Sequence, residues 1–270
     1  GCAGQTPAAS PTPAQEEQVL TVMTHDSFAV SAELVQQFET ENNVKVNFIK
    51  GGDAGTTLNR LILTSLGGTP EVDVFYGLDN TFLSRALDQD LLEAYDAPAL
   101  AQIPAEFQLD PSHRALPVDY GDVCINYDKA WFQEHQLPVP QSLEDLTKPE
   151  YAGLLVVENP ATSSPGLSFL LATIATFGED GWQSYWQALK DNGVVIVSDW
   201  ETAYYTNFSG SSGHGAQPMV VSYASSPAAE LIYAETPLTE APTGSIVADG
   251  ACWRQVEFAE IGRASCRERV

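Results

Sequence analysis

The chain has 270 residues, 44% hydrophobic and 18% charged, enough to bury a core as two modest domains or one large one. Its 12 Lys and Arg stand against 36 Asp and Glu, a net charge of −24, which excludes nucleic acid as a partner because phosphate binding needs the opposite sign. Such acidity serves solubility or draws a cationic ligand, and no run of 18 apolar residues marks a membrane-spanning helix.

In chain order, residues 1–18, "GCAGQTPAASPTPAQEEQ", place a small residue before Cys2 and continue in Ala, Pro, Thr, Ser and Gln with no apolar period. This resembles the cleavage junction of a bacterial lipoprotein. The resemblance implies a lipidated Cys2, a flexible tether and an extracytoplasmic, periplasmic or cell-surface domain that meets the membrane only through its anchor.

"VLTVMTHDSF" then predicts a strand, "SAELVQQFETENN" an amphipathic helix with Asn as its stop, "VKVNFIKGGD" a strand, "GTTLNRLILTSLGG" a helix and "EVDVFYGLDN" a strand. Strand and helix alternating in this way imply a parallel α/β sheet. Ligands in such sheets sit beyond the carboxyl ends of strands, and "HDSF" and "GLDN" are two such ends.

Around "ALPVDYGDVCINYDKAWF" the alternation runs from Ala115 to Tyr127 and implies a crossing into another sheet, with Asp119 and Tyr120 either lining a cleft or fixing the hinge. "GLLVVENPATSSPGLSFLLATIATFG", "GVVIVSDWETAYYTNF" and "PMVVSYASSPAAELIYAE" each repeat the order of strand, polar end and helix. The expected organisation is a tether at 1–18, an α/β domain I from 19–117 and 226–260, and an α/β domain II from 118–225, with a cleft between them.

The last ten residues, "IGRASCRERV", hold three arginines, whereas the preceding 260 hold nine Lys and Arg together. Read back through the genetic code they fit ATC GGA AGA GCG TCG TGT AGG GAA AGA GTG, which resembles a short-read sequencing adapter. Residues 261–270 are therefore expected to be foreign, Glu260 a hybrid codon, and the fold incomplete at its C-terminus. With Cys2 and Cys266 set aside, Cys124 and Cys252 remain as a disulfide or as two buried thiols.

The segments "VLTVMTHDSF", "GLDNTFL", "PVDYGDVCINYDK", "ENPATSSPGLSFLL", "DWETAYYTNF", "VVSYASSPAAEL" and "CWRQVEF" run in order from Val19 to Phe258. Together they resemble the thiamine-binding proteins of bacterial ABC importers, two-domain periplasmic binding proteins. The resemblance implies capture of thiamine or its phosphates by hinge closure, delivery to ABC permease subunits, a monomer, and no cofactor beyond the ligand.

Thiamine carries a permanent cation, an aminopyrimidine edge and a hydroxyethyl tail, so a site for it needs aromatic faces, a carboxylate and polar groups. Trp200, Tyr204 and Tyr223 are candidate faces or core packing residues. Asp26 and Asp79 are candidate charge partners or helix caps, and Asn80 is their companion. Gly77 and Leu78 offer backbone groups. Thr162, Ser163 and Ser164 precede a helix start, where hydroxyls and free N–H groups hold a phosphate or hydroxyl. His25 stands where many thiamine binders have tyrosine, and its protonation would repel a cation.

A ferric-iron binder of the same fold class is the alternative, with Tyr204 and Tyr205 as hard oxygen ligands beside His25 and Glu201. Polyamine, sulfate or sugar capture fits the charge and the motifs less well. Neither a G-x-S-x-G elbow nor an H-E-x-x-H pair occurs, so the reading is of a binding protein and not an enzyme.

Overall fold

A strand–helix–strand unit returns its second strand in the same direction, so the first third of the chain is bound to pair in parallel. The computed structural model describes residues 18–66, 72–210 and 213–263. In it β1 (Gln18–Thr24) lies between β2 (Val44–Lys50) and β3 (Val74–Asp79), parallel to both. The helices α1 (Ala32–Asn42) and α2 (Ala54–Leu66) make the connections. Ser31 opens α1 by accepting from Leu34 N at 3.3 Å, and Asn43 closes it in the left-handed region at φ 50°. The amphipathic face expected of α1 is left uncovered among the described residues: the helix buries no residue, and Leu34 and Phe38 stay exposed.

After the short α3 (Leu83–Leu87) and β4 (Leu92–Glu93), the chain enters the long β5 (Leu116–Asp128) and then α4 (Lys129–Glu134). A second parallel set follows: β6 (Leu155–Glu158), α5 (Ser164–Asp191), β7 (Val195–Val197) and β8 (Met219–Tyr223), with β6 flanked in parallel by β7 and β8. The chain then forms α6 (Ser226–Ile232) and β9 (Thr243–Ile246) and returns through β10 (Trp253–Gly262). β5 and β10 are antiparallel to each other, and they weld both halves into one sheet of order β2-β1-β3-β10-β5-β8-β6-β7.

Two cores flank this weld. One gathers Met23, Leu58, Phe75, Leu78, Val256 and Phe258; the other gathers Val123, Ile125, Val157, Phe169, Met219 and Ile246. Ala115 belongs to the first core and Val123 to the second, so the chain crosses between them; Ala251 and Val256 mark the return. The expected return near 226 therefore falls later. Residues 226–251 stay with the second half because β9 pairs with β5 before the chain turns back. Cys124, within β5, and Cys252, just before β10, form a disulfide with Cα atoms 4.3 Å apart.

Ile261 and Gly262, from the segment expected to be foreign, continue β10 beside β3 and β4, and Arg263 reaches Glu93 at 3.1 Å. Glu260 is buried, and burial pushes its carboxyl well above the ordinary range. Cys2, the expected lipidation site, lies outside the described residues, as does Cys266. Among the described residues no helix is long and apolar enough to cross a membrane.

Candidate functional site

Where β5 and β10 cross, their pairing slips at Glu257/Phe258, and that of β10 with β3 slips at Phe258/Ala259. Such irregularities re-aim side chains at sheet positions near binding sites. Here they accompany a cavity of about 350 Å³ between the two halves. The first half supplies His25, Phe28, Asp53 and Tyr76; the crossing strands supply Asp119, Tyr120, Gln255 and Glu257; the second half supplies Ser164, Trp200, Tyr223 and Ser225.

Its chemistry is acidic and aromatic. Asp53, Asp119 and Glu257 line it, and among the described lining residues there is no Lys or Arg and His25 is the one basic group. Arg254 is held instead by Asp122 at 2.5 Å. Burial raises the carboxyls of Asp53 and Asp119 above the usual range, and for Asp119 the neighbouring Glu257 charge adds to it. Tyr76 donates to Asp119 Oδ2 at 2.8 Å, and His25 Nε2 lies 3.4 Å from Glu257 Oε1. A site that forces carboxylates together in this way lowers its energy by accepting a cation.

The aromatic walls are rigidly set. Trp200 Nε1 donates to Ser222 Oγ at 2.9 Å, and its ring stacks on Tyr204 with centroids 5.0 Å apart and meets Tyr223 in a T-shaped pair at 6.2 Å. Trp200 and Tyr223 thus line the cleft, while Tyr204 backs Trp200 from behind. Tyr204 faces a second cavity of about 480 Å³ and donates to Glu230 Oε1 at 2.6 Å.

Of the candidates read from sequence, His25, Ser164, Trp200 and Tyr223 reach the cavity, and so do Asp119 and Tyr120. The others have different work. Asp26 accepts from Gly52 N at 3.1 Å and pins the end of β2. Gly77 is at φ +101°, and a Cβ there would come within 2.3 Å of His25 Cδ2, so the glycine makes room for the imidazole. Leu78 is core.

Asp79 is fully buried and accepts from Thr81 N at 2.7 Å and Thr81 Oγ1 at 2.5 Å, shaping the turn after β3 and neither capping α3 nor facing the cavity. Asn80 accepts from Val256 N at 2.9 Å and donates to Arg254 O at 3.1 Å, clamping that turn to β10. Thr162 donates to Ser198 O at 2.6 Å, and Ser163 sits at the N-cap of α5 beside Asp53.

Sequence reasoning missed Asp53, Tyr76, Gln255 and Glu257. Asp53 closes "IKGGD" at a strand end of the same kind as "HDSF", a signal that was open to use. Glu257 also had a local signal, the alternation that puts Val256 and Phe258 in the core and Gln255 and Glu257 on the other face, but which distant carboxylates it meets is set by the pairing of β10 with β5 and β3.

Contacts also run directly from one half to the other. Trp200 N donates to Asp53 Oδ2 at 3.1 Å, and Thr56 N donates to Thr162 O at 3.2 Å. The cleft is therefore drawn together along one seam, at the N-terminus of α2.

Two α/β halves joined by a pair of crossing strands, with a cavity between them, define a two-domain solute-binding protein. Residues 69–230 match the family described as bacterial extracellular solute-binding protein, and the chain belongs to that family. It is 30% identical over 233 residues to the thiamine-binding periplasmic protein of Brucella suis, covering 83% of this chain and 64% of that relative, so the chain spans less than two thirds of the relative's length. A solved periplasmic thiamin binding protein is similar with a TM-score of 0.78 and 26% identity, over 98% of this chain and 78% of its own. Iron-bound HitA from Pseudomonas aeruginosa shares the fold, with a TM-score of 0.71 at 19% identity over 92% of this chain and 76% of its own.

Proposed function

We propose that the protein captures thiamine, or one of its phosphates, in the cleft between its domains and presents it to the permease of an ABC importer outside the cytoplasm. The observation that carries this is the lining of the cavity, which joins Trp200 and Tyr223 to Asp53, Asp119 and Glu257 with no Lys or Arg among the described residues. Aromatic faces suit the two rings of thiamine and carboxylates suit its cation. Ser164, at the first turn of α5, offers a hydroxyl and helix N–H groups to the hydroxyethyl tail or a phosphate on it.

The ferric-iron reading loses ground on geometry. Tyr204 and Tyr205, its paired tyrosine ligands, both line the second cavity, and Tyr204 is bound to Glu230. The role is that of a binding protein: the ligand is held and released unchanged. A lipid at Cys2 would keep the domain beside its permease without a membrane span.

Calorimetric titration of the purified protein with thiamine, thiamine phosphates, Fe³⁺ and spermidine tests the proposal. Saturable binding of a thiamine form, tighter than the other two classes, is expected. Binding of Fe³⁺ alone, or no heat with any thiamine form, would overturn it.

A further inference from the structure

His25 is placed in the cavity in a way that a purely aromatic contact does not need. Its Cδ2 edge lies against the bare backbone of Gly77, and its Nε2 points to Glu257 at 3.4 Å. The groups facing it are Glu257 from β10, Asp119 from β5, Asp53 from the turn before α2 and Tyr76 from β3, whose ring centre is 6.0 Å away. On its own loop Asp26 is turned aside to Gly52 N, and the Lys50 ammonium is taken by the Asp26 carbonyl. The imidazole is thus the one group among the cavity's described lining residues able to carry positive charge, and it lies beside Glu257, a carboxylate that a cationic ligand in this cavity would meet.

We infer that His25 is the counter-ion of the empty cleft, and that a bound cation takes its place against Glu257 and discharges it, so that capture of ligand releases a proton. Burial alone would lower the basicity of His25, but the hydrogen bond and charge of Glu257, with Asp53 and Asp119, outweigh it and raise the pKa above the ordinary histidine value. A second positive charge in the same cavity reverses that balance, because the ligand cation and the imidazolium repel each other and compete for the same oxygens. Affinity then falls with acid by about tenfold per pH unit below the pKa of His25 in the empty site, the limit for one linked proton. The cleft would hold its ligand in neutral surroundings and loosen in acid ones.

The inference rests on the thiamine reading, and calorimetry separates the two. Thiamine is titrated into the protein at pH 6.5 in phosphate and in Bis-Tris, whose ionisation heats differ, and the difference in observed heat counts protons. Release of ~0.5–1 proton per thiamine is expected, with none from H25Q, whose affinity stays flat from pH 6 to 8. No heat in either buffer refutes the thiamine reading. Binding with no proton transfer refutes the role of His25 and leaves thiamine binding intact. Release that persists in H25Q assigns the proton to Asp53 or Asp119 and also refutes it. If H25Q does not fold, the imidazole resonance of His25 in the parent protein decides: it must move from the charged to the neutral position when thiamine is added at pH 6.5, and an unmoved resonance overturns the proposal.

Discussion

The carboxylate of Asp53 accepts a hydrogen bond from the backbone N of Trp200, 3.1 Å away, and so ties the first half of the molecule to the second beside the ligand cavity. The same carboxylate accepts from Ala54 N at 3.0 Å, at the start of α2. One side chain therefore orders a helix start, holds the domains together and contributes negative charge to the cleft. Asp53→Asn keeps the shape but places an amide N–H where one of the two donors points. A bond to a charged acceptor is worth about 1.5–3 kcal/mol, so D53N is expected to bind thiamine about 10- to 100-fold more weakly. Calorimetry beside the parent protein checks this, and parent-like affinity would show that Asp53 closes nothing.

The seam is also close-packed. A Cβ on Gly55 would stand 2.9 Å from Ala161 O and from Thr162 C across the cleft. The same Cβ would stand 2.8 Å from Phe82 Cζ within the first half, a ring end that can shift, whereas the backbone of Ala161 and Thr162 gives less easily, so Gly55→Ala is expected to hold the domains apart. Small-angle scattering with saturating thiamine should report a larger radius of gyration for G55A than for the parent. Equal radii would mean that the seam yields.

Gly77 combines a φ of +101° with the contact to His25. An alanine there meets both the backbone penalty of that region, about 1–3 kcal/mol, and the imidazole edge. Gly77→Ala is expected to lower stability in urea by about 2 kcal/mol or more and to displace His25, which weakens the proton linkage. A parent-like midpoint would contradict the assigned backbone strain.

Asp79 gives a pH signature of its own. Burial pushes its carboxyl up to about 6, against an unfolded value near 3.9. Between those values the folded chain holds a proton that the unfolded chain has lost, so this group makes stability fall as pH rises from about 4 to about 6. Asp79→Asn keeps the acceptor for Thr81 N and removes the buried charge. D79N is expected to gain about 1–3 kcal/mol at pH 7.5 and to lose that fall. Denaturation at pH 4.5 and 7.5 checks both, and a D79N protein weaker than the parent at pH 7.5 would refute the account.

The Cys124–Cys252 bond closes a separation of 128 residues across both crossing strands. Its replacement by two alanines is expected to cost about 2–5 kcal/mol. Because it sits where the domains meet, thiamine affinity should fall as well. Unchanged unfolding in reducing buffer would show that the bond is not formed in the protein as isolated.

Much of the molecule was legible before any coordinate. Apolar period and polar strand ends identify the order of strands and helices, because these are local properties of 5 to 15 residues. The alternation of strand and helix implies parallel pairing, and the charge balance is that of a surface that serves solubility or draws a cation. His25, Ser164, Trp200 and Tyr223 could be named because each ends or follows a strand, where an α/β cleft opens, and, for Trp200 and Tyr223, because the resemblance singled them out over core packing. Tertiary structure alone decided the rest. "GLDN" carries the same polar strand-end signal, yet Asp79 and Asn80 turn inward, one to the chain two residues on and the other to β10. Asp53, Asp119 and Glu257 meet in one cleft because strands far apart in sequence pair there, and residues 226–251 stay with the second half through the pairing of β9 with β5. A side chain's partner depends on which distant backbone lies beside it, and that is fixed by packing and register, which no local pattern encodes.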